Sequence, residues 1–165
     1  MLALGARETE TFFAPKPIIE HARKVKERGR HEYELWLSDF DVWKRDNPER
    51  ADLLSRLTSK QLPKDWDERI PQFPSDKDVA TRAASGKAIQ YIAEQLPEFW
   101  GGSADLAESN NTTIENGGSF LPVDSKMSGA NPFGRVVHFG IREHAMAAIL
   151  NGAALHGFVK PFGGT

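Results

Sequence analysis

Two stretches decide the fold: Phe99-Trp100-Gly101-Gly102-Ser103-Ala104-Asp105-Leu106-Ala107-Glu108-Ser109-Asn110, and downstream Arg135-Val136-Val137-His138-Phe139-Gly140-Ile141-Arg142-Glu143-His144-Ala145-Met146. In each, a short run suited to a β-strand meets glycine and then polar residues. Ligands of open α/β sheets bind beyond such carboxyl ends of strands. Before the first stretch, residues 81–96 read as a helix with Ala84, Ala88, Ile92 and Leu96 on one face. Within the second, residues 135–139 read as a strand and 141–156 as a small-residue helix, and residues 158–162 begin another strand. Alternating helices and strands predict a parallel α/β sheet. Residues 107–134, rich in Asn, Ser, Gly and Thr, read as one long loop. Two or three strands leave a parallel sheet incomplete, because such a sheet is covered on both faces. Poor stability in isolation is therefore expected.

The first half of the chain reads differently. Pro15 and Pro17 precede a predicted helix over 18–28, closed by Gly29. A second helix is expected from Glu32 to Lys44, with Tyr33, Trp36, Leu37, Phe40 and Trp43 forming one apolar stripe. The Trp36, Phe40 and Trp43 stripe is expected to pack against a neighbouring domain. Asn47-Pro48 breaks the helix, and Pro48 suits the first position of a third one through Leu57. From Leu62-Pro63 to Pro74-Ser75-Asp76 the chain reads as an extended connector. The expected division is residues 1–78, a helical connector, and residues 79–165, the start of the α/β domain.

Composition narrows the function classes. The 165 residues are 39% hydrophobic and 27% charged, values that fit a globular protein. A net charge of −2 gives no general drive toward nucleic acid or anionic membranes. The basic run Arg23, Lys24, Lys26, Arg28 and Arg30 is interleaved with Glu20, Glu27 and Glu32, as on a solvated helix face. The absence of cysteine excludes disulfides, thiolate metal sites and cysteine nucleophiles. The run from Met1 to Glu10 is too weakly apolar for a signal peptide, and no segment reaches the roughly 20 apolar residues of a membrane span. A cytoplasmic location is expected.

Four residues are candidates for a site, each with a plainer alternative. Glu143 in a first helical turn either complements the helix dipole or aims a carboxylate at a ligand. Asp105 and Ser109 either cap local turns or bind, in a loop whose glycines let backbone amides approach an anionic ligand. Arg82 is a cation at a helix start, where the dipole disfavours it; it faces solvent or grips phosphate. His138 and His144 lie close enough in sequence to line one pocket, but no His-Glu-x-x-His pattern accompanies them, so no metal site is expected.

In combination these segments resemble the pyrimidine-binding domain of transketolase. The resemblance is carried by Val79-Ala80-Thr81-Arg82-Ala83-Ala84-Ser85-Gly86-Lys87, by Trp100 to Asn110, and by His138 to Met146; residues 12–74 resemble the family's interdomain connector. It implies a thiamine diphosphate enzyme that transfers a two-carbon ketol unit from a ketose phosphate to an aldose phosphate in the pentose phosphate pathway. Glu143 falls on the catalytic glutamate that hydrogen-bonds the pyrimidine ring nitrogen, and Arg82 and Ser109 on the substrate-phosphate site. Asp105 falls near the cofactor at a subunit interface. The family also implies a homodimer, and Mg2+ or Ca2+ held by a preceding domain. The same comparison implies that 165 residues are a fragment, inactive alone. A related thiamine diphosphate enzyme (dihydroxyacetone synthase or deoxyxylulose-phosphate synthase) and a non-catalytic remnant are the alternatives.

Overall fold

A computed structural model describes residues 14–165; the segment from Met1 to Glu10, read above as no signal peptide, lies outside them. The described residues form two compact units, one ending at Asp52 and the other Leu53–Thr165.

In the first unit, α1 (Lys16–Arg23) opens behind Pro15, whose carbonyl accepts the amides of Ile18 at 3.0 Å and Ile19 at 3.1 Å. It is followed by α2 (Val25–Asp46). The predicted stop at Gly29 is absent: α2 runs through it, and the interruption falls at Lys24. A glycine ends a helix by turning left-handed, and Gly29 has no positive φ. It sits in the helix at a cost of about 1 kcal/mol relative to alanine. On α2 the rings of Tyr33, Trp36, Phe40 and Trp43 stack in sequence, with centroids 5.8, 4.9 and 5.6 Å apart. Asn47 ends the helix by donating both its backbone amide (2.9 Å) and its side-chain amide (3.0 Å) to the Trp43 carbonyl. Pro48 then opens α3 (Pro48–Thr58), as its fixed φ and missing N–H favour; from Leu53 on, this helix belongs to the second unit.

The second unit holds a five-stranded sheet. Its elements are α4 (Thr81–Gln95), β1 (Phe99–Ser103), α5 (Ala107–Asn110), β2 (Ser119–Phe120), β3 (Ala130–Asn131), β4 (Val136–His138), α6 (Glu143–His156) and β5 (Lys160–Gly164). The strand order is β3-β2-β4-β1-β5, and every pair is parallel. The parallel α/β expectation holds, but the sheet has five strands rather than two or three. The extra pair, β2 and β3, lies inside the predicted long loop. Each is two residues long, too short to carry an alternating pattern, and each follows a left-handed glycine, Gly118 (φ 67°) or Gly129 (φ 76°).

α4 is turned by one residue from its expected face. Gly86, Ile89, Ala93 and then Leu96 are buried, while Ala84, Ala88 and Ile92 lie at its flank. Ile89 and Ala93 form a core with Ile114 and Val136, against which Phe99 and Phe162 stack at 4.6 Å. Each fully buried aliphatic side chain in such a core contributes about 1.5–3 kcal/mol.

Within the second unit, one ion pair fastens the end of α3 to the sheet. Arg56 donates from one guanidinium nitrogen to Glu98 Oε1 at 2.6 Å and from the other to Oε2 at 2.8 Å. The Glu98 side chain is buried, and its backbone carbonyl receives the amide of Lys160 at the start of β5. Burial pushes the Glu98 carboxyl up, but hydrogen bonds from Arg56 and the backbone, with the charges of Arg56 and Lys160, together outweigh it and hold the group below its usual 4.5; Glu98 correspondingly raises Arg56.

Arg56→Ala leaves a buried carboxylate without its counter-charge, so it is expected to cost about 3 kcal/mol, read as a lowered urea midpoint. A depressed carboxylate stabilises the fold above its unfolded value and loses that contribution as pH falls through the folded value. The difference between wild type and Glu98→Gln should therefore shrink as pH is lowered below about 4.5, toward that lower folded value. A pH-independent difference would show that Glu98 acts by packing alone.

Candidate functional site

The register of the sheet assembles the site. Ser103 at the end of β1 pairs with His138 at the end of β4 and with Gly164 at the end of β5. The segments that follow β1 and β4 therefore leave the sheet side by side. The chain passes from α4 into β1 through Leu96, Pro97 and Glu98, so α4 runs back along the sheet and its first turn lies at the same edge. Asn111, just past α5, confirms this: its side-chain amide donates to the Arg82 carbonyl at 3.2 Å.

Arg82, Asp105, Ser109 and Glu143 are thus brought to one edge, and all four are exposed. Arg82 lies in the first turn of α4, Ser109 on α5, and Asp105 in the turn between β1 and α5. Glu143 is the first residue of α6. Gly140, at φ 73°, turns the chain out of β4, and its carbonyl accepts the amide of Arg142 at 2.7 Å. The Glu143 Oε1 atom accepts a hydrogen bond from the Thr165 hydroxyl at 3.3 Å.

One expectation needs correction. Gly101 and Gly102 are buried strand residues, not a ligand-binding turn. A Cβ at Gly101 would strike the Phe162 carbonyl, and one at Gly102 the Val137 carbonyl. The Gly101 amide is already committed to the Arg135 carbonyl at 3.0 Å. The pair lets β4 and β5 close on β1. His138 Nε2 pairs with Ser119 Oγ at 2.9 Å, joining β4 to β2. Among the described residues no group of three or more His, Asp or Glu is placed to hold an ion.

Sequence reasoning missed the residues that hold the loop. Ser103 and Thr112 are buried and polar, and the Asn110 side chain bridges them. The Asn110 amide nitrogen points at Thr112 Oγ1 (2.7 Å) and the Leu106 carbonyl (3.0 Å), with its oxygen on Ser103 Oγ (2.9 Å). Ser103 Oγ also accepts the Leu106 amide at 3.1 Å and lies 3.1 Å from the Gly164 carbonyl. That carbonyl in turn receives the Ala104 amide at 3.1 Å. The network joins residues 61 apart in the chain, a separation that no local motif announces. A groove of about 550 Å³ lies nearby, between Lys87 and Gln90 of α4 and Ala107 and Glu108 of α5. None of the four expected site residues lines it.

Residues 77–165 match the family described as transketolase, pyrimidine binding domain. The chain is 47% identical to the transketolase of Mycobacterium leprae over 98% of its own length and 24% of that protein's. It is 45% identical to the Bacillus subtilis transketolase, covering 94% of this chain and 22% of that one. Among solved structures it is similar to a Pichia stipitis transketolase in complex with sedoheptulose 7-phosphate. The TM-score there is 0.86 at 33% identity, covering 99% of this chain and 24% of the other. The chain thus spans about a quarter of the length of the relatives it matches.

Ser103→Ala should leave the Leu106 amide and the Asn110 oxygen without this partner, a loss of about 1 kcal/mol for part-buried groups. Amide hydrogen exchange over residues 104–112 is expected to rise more than in the α4 core. Uniform acceleration across the unit would show that the network supports the whole fold rather than this loop.

Proposed function

The chain belongs to the transketolase pyrimidine-binding family, and from that premise we propose that it is the connector (1–78) and first part of the pyrimidine domain (79–165) of a transketolase. The parent transfers a two-carbon ketol unit from a ketose phosphate to an aldose phosphate in the pentose phosphate pathway. The observation that carries this reading is the gathering of Arg82, Asp105, Ser109 and Glu143 at the carboxyl edge of one parallel sheet. That edge is where sheets of this class take their ligands.

Thiamine diphosphate, when bound, supplies the electron sink for cleaving the ketose carbon–carbon bond. The residues present suit it. Glu143 offers an exposed carboxylate in which Oε1 meets the Thr165 hydroxyl and Oε2 has no hydrogen bond among the described residues. Glu143 would hold a proton between this carboxylate and a ring nitrogen of the cofactor. Asp105 would lie near the cofactor, in the turn anchored by Ser103. Arg82 and Ser109 would bind the substrate phosphate. Binding there, remote from the bond that breaks, positions the sugar and lowers the barrier through orientation. Sugar phosphates are accordingly the substrates; the solved Pichia stipitis relative was crystallised with one.

A homodimer with its active site between subunits fits the surface of α6. Met146 and Leu150 of this helix pack over Gly163 of β5, yet Ile149 is 53% exposed and Leu155 85%. Apolar residues on more than one face of a helix call for cover on more than one side. Mg2+ or Ca2+ accompanying the diphosphate is assigned to another part of the parent. We propose a cytoplasmic parent with no nucleic-acid or membrane partner. No described helix is long and apolar enough to cross a membrane.

In the parent enzyme, Glu143→Gln is expected to lower kcat by at least about 100-fold, the usual scale for losing a positioned acid–base group. Steady-state kinetics at saturating thiamine diphosphate separate this from weaker cofactor binding. Arg82→Ala should raise KM for fructose 6-phosphate and leave use of unphosphorylated fructose little changed. Equal weakening for both sugars would remove the phosphate assignment.

A further inference from the structure

The geometry points to Asn111 and Gly86 as positioning residues that set where Ser109 stands relative to Arg82. Resting on the reading of Arg82 and Ser109 as phosphate ligands, this extends that site by the device that aligns its two halves. The halves lie on different elements, Arg82 on α4 and Ser109 on α5, separated by β1 in the sequence. No hydrogen bond joins the two side chains among the described residues, so something else must fix their spacing.

Asn111 is placed to do so. It ends α5 in the left-handed conformation, φ 54° and ψ 45°, which asparagine tolerates better than most residues. The backbone turn swings its side chain back onto α4, where the amide donates to the Arg82 carbonyl at 3.2 Å. The carbonyl belongs to the residue whose side chain is to be aligned. On the next turn of α4, Gly86 leaves the space that Asn111 occupies. A Cβ at Gly86 would stand 2.7 Å from Asn111 Cβ, 3.4 Å from its carbonyl oxygen and 3.6 Å from Cγ. The first separation is shorter than packed carbon atoms accept, since such contacts are optimal near 3.5–4.0 Å.

Gly86 is therefore a spacing residue in the interior of a helix where alanine would otherwise be preferred. The contact and the hydrogen bond together hold α5 against the first turns of α4. They do this two residues from Ser109, so a displaced Asn111 moves Ser109 directly. Positional error of this kind is costly in a site that works by orientation.

The test is the selectivity of the full-length, thiamine diphosphate-loaded enzyme, measured as kcat/KM for fructose 6-phosphate divided by that for fructose. A mere loss of folded protein lowers both values together and leaves the ratio unmoved. Asn111→Gly keeps the left-handed turn but removes the donor, and Asn111→Asp keeps the shape but offers no N–H. Each is expected to lower the ratio about fivefold, the scale of one lost hydrogen bond. Gly86→Ala should lower it at least as far. In Gly86→Ala/Asn111→Gly the clashing Cβ of residue 111 is gone, so the double variant should be no worse than Asn111→Gly alone. Should Gly86→Ala fail to fold, the two Asn111 variants decide. If Arg82→Ala lowers the ratio but the Asn111 and Gly86 variants do not, the positioning role is overturned and the phosphate site stands. If Arg82→Ala also leaves the ratio unchanged, the phosphate site itself falls, and the positioning role with it.

Discussion

The sheet of the second unit depends on a strand that has almost no side chains where its neighbours come closest. β1 lies between β4 and β5, and at Gly101 and Gly102 the carbonyls of Phe162 and Val137 occupy the positions that side chains would take. Glycine inside a strand costs conformational entropy and provides no packing. Here the cost is offset by ladders on both sides of β1, and by the stacked Phe99 and Phe162 next to the pair. Closing the three strands brings Ser103, His138 and Gly164 level with one another. Every candidate site residue is reached from that edge.

Two polar devices then transmit the order of the sheet outward, at opposite ends of β1. Before the strand, Arg56 neutralises and hydrogen-bonds the buried Glu98, while the Glu98 backbone starts β5. After it, Ser103, Asn110 and Thr112 bind the loop to the ends of β1 and β5. Both are buried or nearly so, where an unmet partner costs more than a satisfied one contributes. No buried side-chain nitrogen or oxygen among the described residues lacks a partner. The loop that carries Asp105 and Ser109 is thus short in regular structure yet closely specified.

Much of this was legible in the sequence because long elements repeat their signals. Helices over 81–96 and 141–156, and the strands beginning at Phe99 and at Arg135 or Val136, follow from periodicity and from the glycines that end them. Short elements carry no period, so β2, β3 and α5 were read as loop. Gly29 and the Gly101-Gly102 pair misled for a common reason. Glycine marks freedom, but only tertiary structure decides whether that freedom is used for a turn, a close approach or nothing. The one-residue rotation of α4 has a similar origin: Ala84 and Ala88 are apolar enough to suggest a face, but Ile89 and Ile114 decide which face is buried. Of the site, the residue types and their strand-end positions were visible. The hydrogen bonds that hold them, from Ser103 to Asn110 and from Asn111 to Arg82, cross distances that local patterns do not encode.

The chemistry proposed for Glu143 and the surface that surrounds it make the same demand. To share a proton with a ring nitrogen, a carboxylate must lose part of its water. Nothing in the second unit removes that water, for Glu143 stands exposed with only the Thr165 hydroxyl on Oε1. The helix that begins at Glu143 exposes Ile149 and Leu155, with Ile141 just ahead of it, and each of these gains by being covered. A surface that covers this apolar helix also dries the carboxylate at its start. Association of the kind proposed for the parent would therefore couple burial of α6 to the role proposed for Glu143.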